Sequence, residues 1–150
     1  MFTAMVIVAL IIVAGFGFYF SGSLMTEASI INDCPNIAKI SGATYRFVND
    51  PKYNIPLRTH VPYAYVKAYV ADCNGSAPGG GQITINVKSN WDGNYVLNVP
   101  IGSTAVTWTI IATKNIDKQC TLYGRQYVKV WSNQTSDGSV EMIPRGAGCK

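Results

Sequence analysis

The first 26 residues carry no charge of either sign: Glu27 is the first charged side chain and Lys39 the first basic one. Such a stretch cannot be the solvated surface of a domain. Catalytic signatures are missing as well. No G-x-S-x-G, H-E-x-x-H, phosphate-binding glycine loop or dinucleotide fingerprint occurs. Histidine is nearly absent. His60 stands alone before Val61-Pro62 with no cysteine at ligand spacing, which reads as a solvated or hydrogen-bonded loop residue. The four cysteines form no C-x-x-C pair, so zinc spacing is excluded. No two basic residues are adjacent, and the net charge of +4 is spread as isolated Lys and Arg, so no nucleic-acid surface is expected. The eight carboxylates are scattered too. Asn90-Trp91-Asp92-Gly93-Asn94 offers oxygen atoms for a calcium ion, but the same residues are what a tight turn demands. The expectation is a non-enzymatic protein without cofactor or metal.

What is present begins with Met1–Phe20, an unbroken apolar run whose only hydrogen-bonding side chains are Thr3 and Tyr19. As a helix it would be roughly 30 Å long, the thickness of a bilayer core. Leu24, Ala28 and Ile31 continue a helical period, and Pro35 predicts the stop near Asn32-Asp33. A cleaved signal would need a basic flank before the run, and none is there. Two uses are left for this segment, a single-pass membrane anchor or a helix that packs against copies of itself. Gly15 and Gly22, two turns apart on one side, would permit close helix approach. The division is thus residues 1–33 as hydrophobic helix and 34–150 as a head domain.

In the head the period changes to two. Strands are predicted at Ile40–Val48, Ala64–Val70, Gln82–Ser89, Tyr95–Val99, Thr104–Thr113, Tyr123–Trp131 and Ser139–Ile143. Pro51, Pro56 and Pro62 mark a connection, CNGSAPGGG at 73–81 a loop, and PIGS at 100–103 a turn. Asp92-Gly93 is a strong hairpin signal between the third and fourth of these strands. About seven short strands after one long helix give an α+β chain with an immunoglobulin-like sandwich as its head. Cys34, Cys73, Cys120 and Cys149 all follow the apolar segment and suit two disulfides in an oxidising compartment. Of the three pairings, Cys34–Cys149 with Cys73–Cys120 is favoured, because Cys34 and Cys149 bracket the head. Asn74-Gly75-Ser76 and Asn133-Gln134-Thr135 are glycosylation sequons in predicted loops. Tyr63, Tyr65 and Tyr69 share one strand face, a candidate contact between subunits.

Two resemblances follow from these residues. The apolar start, lacking a basic flank and continuing into a more amphipathic stretch, resembles the N-terminal helix of type IV pilins over about thirty residues. Bacterial members usually carry Glu at the fifth mature position; Met5 here points to the archaeal branch. Gly93, Tyr95, Leu97, Val99, Pro100 and Gly102, in DGNYVLNVPIG, resemble the hairpin of transthyretin-like or carboxypeptidase-regulatory domains over residues 60–113. The pilin resemblance implies an extracellular, glycosylated, cell-surface filament subunit that serves adhesion, biofilm formation or motility. Its polymerisation helix would be carried by Met1, Phe2, Met5, Val8, Ile12, Gly15, Phe16, Tyr19 and Gly22. The implied partners are further copies of the chain, a prepilin peptidase, an assembly ATPase with its platform, and the membrane before assembly. The alternative is a membrane-anchored module whose sandwich binds a surface ligand.

Overall fold

The computed structural model describes residues 34–74 and 83–149. They form ten strands: β1 (Asn36–Asn49), β2 (Pro56–His60), β3 (Tyr65–Val70), β4 (Ile83–Lys88), β5 (Asn94–Ile101), β6 (Val106–Asn115), β7 (Thr121–Val130), β8 (Thr135–Asp137), β9 (Val140–Glu141) and β10 (Ile143–Arg145). The α+β expectation is corrected here. The described chain is all-β, because its apolar residues recur with period two from Ala38 onward and leave no stretch for a helix. The predicted N-terminal helix falls on residues 1–33, outside the described residues. Among the described residues no helix is long and apolar enough to cross a membrane.

Two five-stranded sheets make a sandwich. The second has the order β10-β7-β6-β3-β4, all antiparallel. The first is built around β1. Its first half pairs with β5 (Ile40 opposite Leu97) and its second half with β2 (Tyr45 opposite His60), both antiparallel. β8 and β9 run parallel to β1. Thr44 shows how these partners share one strand. Its N–H donates to the Gly93 carbonyl and its C=O accepts the Val61 N–H, at 2.9 and 2.8 Å. Because both backbone groups of one residue face the same side of a strand, β5 and β2 lie end to end along one side of β1 and meet at Thr44. β8 and β9 take the other side, where Gly138 N–H donates to Ser41 and Met142 N–H to Tyr45.

The core lies between the sheets. Ala64, Val66, Ala68 and Val70 face inward from β3 and its entry, Tyr95, Leu97, Val99 and Ile101 from β5, and Val106, Trp108, Ile110 and Ala112 from β6. These are the inward residues that alternation predicts. Three expectations fail. The segment at 56–60, read as connection, is β2; every one of its side chains is exposed, so no alternation marks it. Ser139–Ile143 is not one strand but β9 in one sheet and β10 in the other. The hairpin at Asp92-Gly93 is a corner. The turn forms, with Gly93 N–H donating to Asn90 O and Asn90 N–H to Asn94 O, and Gly93 takes φ +78°. Beyond it β4 pairs with β3 and β5 with β1, so the chain changes sheets.

Candidate functional site

The disulfides pair otherwise than favoured: Cys34 bonds Cys73 and Cys120 bonds Cys149. Strand register is the reason. Asn36 opposite Ile101 brings Cys34 beside the end of β5, where Gly102 N–H donates to the Cys73 carbonyl. Arg145 opposite Thr121 returns the chain end to Cys120. Since β3 and β6 are antiparallel, the two bonds sit at opposite ends of the sandwich. Cys34 and Cys149 bracket the head in sequence and are held apart in space.

Both sequon asparagines are exposed. Asn133 adopts φ 58° in the turn between β7 and β8, a conformation asparagine tolerates well, and Thr135 opens β8 with its side chain exposed. Asn74 N–H donates to Asp72 Oδ1 at 2.8 Å, while the rest of its sequon lies outside the described residues. His60 ends β2, and its Nδ1 is hydrogen-bonded to the Asp92 carbonyl. Asn90 Oδ1 accepts from the N–H groups of Asp92 and Asn94, both at 2.9 Å, so it caps the turn. No group of three metal-ligating side chains occurs among the described residues. The residues assigned to the polymerisation helix, Met1 to Gly22, lie outside the described residues.

The outer face of the second sheet brings together side chains that are isolated in sequence. Register aligns Tyr69, Thr109 and Tyr127 in one row. The next row holds Lys67, Ile111 and Arg125, and the third holds Lys88, Tyr65, Thr113 and Tyr123. Lys129 and Arg145 occupy outward positions at the ends of β7 and β10. The rings and cations are interleaved. Lys88 Nζ lies 5.6 and 5.4 Å from the centroids of Tyr63 and Tyr65, and the Arg145 guanidinium 4.2 Å from that of Tyr123. Arg125 stands between Tyr127 and Tyr123 on the same face of β7, and these two neighbours push its already high pKa further up. None of the five strands contains an Asp or Glu. Reading for adjacent basic residues misses this face. The signal that marks it is a Lys or Arg at outward positions of four of the five strands, β3, β4, β7 and β10.

No protein-family model, curated protein or solved structure matches this chain.

Proposed function

We propose that the chain is the structural subunit of an extracellular filament of the type IV pilus kind, polymerising through its apolar N-terminal segment with the sandwich on the outside. The observation that carries this reading is the join of an uncharged apolar segment, Met1–Phe20, to a disulfide-bonded sandwich. The two bonds fit an oxidising, extracellular environment. In that environment an apolar segment of twenty residues needs shelter. Bilayer lipid gives it before assembly, and neighbouring copies give it afterwards, at roughly 25 cal/mol per Å² of apolar area removed from water. Withdrawal from the membrane would then be coupled to polymerisation. A prepilin peptidase and an assembly ATPase with its platform are the partners such a route requires. Glycans at Asn74 and Asn133 fit a head that faces outward.

Electron microscopy of filaments sheared from the source cells, with peptide mapping of the filament protein, tests the proposal. Thin filaments that contain peptides of this chain, with Asn74 or Asn133 modified, are the expected result. If the chain stays wholly in the membrane fraction and no filament contains it, the filament reading fails and a tethered binding module replaces it.

A further inference from the structure

We infer that the outer face of the β10-β7-β6-β3-β4 sheet is a binding surface for acidic polysaccharide. This inference does not rest on the filament reading.

Charge is the first argument. Lys67, Lys88, Arg125, Lys129 and Arg145 project from one face, and no carboxylate stands on its strands. The chain's net charge is +4, so this face holds more than the whole excess and the remainder sums to one negative charge. The opposite face is balanced: Lys39 and Arg58 stand with Asp137 and Glu141 on adjoining strands, and the Asp137 pKa is lowered by Ser139 first and by the Arg58 charge in addition. A bare cluster of like charge on a sheet is mutually repulsive unless an anion lies over it.

The second argument is the rings. Tyr65 is 66 % exposed and Tyr127 62 %, so they present aromatic surface to solvent rather than to the core. The face of an aromatic ring is electronegative, and the C–H bonds on one side of a pyranose ring carry partial positive charge, so the two stack. Tyrosines between cations therefore read a polymer that alternates sugar rings with carboxylates or sulfates. Neighbouring strands are about 4.8 Å apart, so Lys67 and Arg125, two strands apart, are roughly 10 Å from each other across Ile111. An extended chain laid across the strands over Lys67 and Arg125 has a row of tyrosines on either side, Tyr69 with Tyr127 and Tyr65 with Tyr123.

Other occupants fit less well. Single-stranded nucleic acid also uses stacked rings and cations, but the disulfides assign the domain to the compartment where acidic polysaccharides are abundant. A second copy of the chain would need an acidic patch, and the described carboxylates are dispersed over loops and the other sheet.

The test uses the full chain in a polyoxyethylene detergent, with immobilised polygalacturonate, neutral dextran and oligo-dT as probes. The expected result is polygalacturonate binding that weakens with salt, with dextran not bound and oligo-dT bound more weakly. Lys67→Gln with Arg125→Gln should weaken binding about tenfold, as two exposed ion pairs allow. Tyr65→Ala with Tyr127→Ala should weaken it several-fold, while the Phe versions keep it. Lys39→Gln with Arg58→Gln, on the other sheet, should leave it unchanged. Urea unfolding midpoints confirm that each variant is folded. The proposal is overturned if polygalacturonate does not bind, or if dextran or oligo-dT binds as tightly. It is also overturned if the control pair weakens binding equally, or if the Ala pair has no effect.

Discussion

Thr44 is the residue on which the first sheet turns. It is fully buried, and its Oγ1 lies 2.6 Å from the Val61 carbonyl, 3.0 Å from that of Gly93 and 3.3 Å from Ser89 Oγ. The Ser89 hydroxyl in turn accepts the Ala64 N–H at 2.8 Å. One threonine side chain thus ties β1 to the ends of β2 and β5 and, through Ser89, to the start of β3. Thr44→Val keeps the shape and removes the donor, and it should cost about 1–3 kcal/mol in urea unfolding. Thr84 is the opposite case. Its Oγ1 is buried with no hydrogen-bond partner, so Thr84→Val should raise stability by about 1 kcal/mol in the same measurement. Trp108 Nε1 is also buried without a partner. The indole fills the centre of the core, however, and a smaller ring there would leave a cavity.

At the scale of elements, the connection between β8 and β9 sets the response to pH. The Tyr95 hydroxyl donates to the Gly138 carbonyl. Burial first, and the Asp137 charge second, raise its pKa above the ordinary 10.0. The folded chain thus keeps Tyr95 neutral where the unfolded chain would ionise it. Stability from this site is complete below pH 10 and is lost as the pH rises above it. Asp137 works in the other direction. The Ser139 hydroxyl and Ser139 N–H, the latter at 2.9 Å, hold its carboxyl below the ordinary 3.8. Its contribution is present above that value and is lost as the pH falls through the lower folded one. Urea midpoints measured from pH 2 to 11 should fall at both ends. Tyr95→Phe should flatten the alkaline limb and Asp137→Asn the acid limb.

Alternation made most strands legible. Ala64 to Val70, Tyr95 to Val99 and Val106 to Ile110 face inward as their period of two requires. β2 was hidden because its five side chains, Pro56 among them, are all exposed and carry no such period. At Asn90–Gly93 the turn residues dictated a reversal of the chain, as read, but not the strand that each arm would join. That choice is made by Thr44 and Ser89, which are remote in sequence. The cationic face was hidden for a related reason. Its members are single residues on separate strands, and only register puts them side by side.

For the whole molecule, the two disulfides close loops of 39 and 29 residues. On the chain-entropy account each should stabilise the fold by roughly 4 kcal/mol. Cys34→Ser with Cys73→Ser should lower the unfolding free energy by about that amount, measured with urea, and leave the cationic face in place because that bond lies at the end of the sandwich. The Cys34–Cys73 bond has a mechanical consequence as well. Any pull on the residues before Cys34 reaches two strands at once. One path runs along β1, flanked on both sides in the first sheet; the other crosses the bond to the end of β3, flanked by β4 and β6 in the second. Tension is therefore divided between the two layers instead of peeling one strand from its neighbours. Reduction of that single bond would turn a shared load into a sequential unzipping.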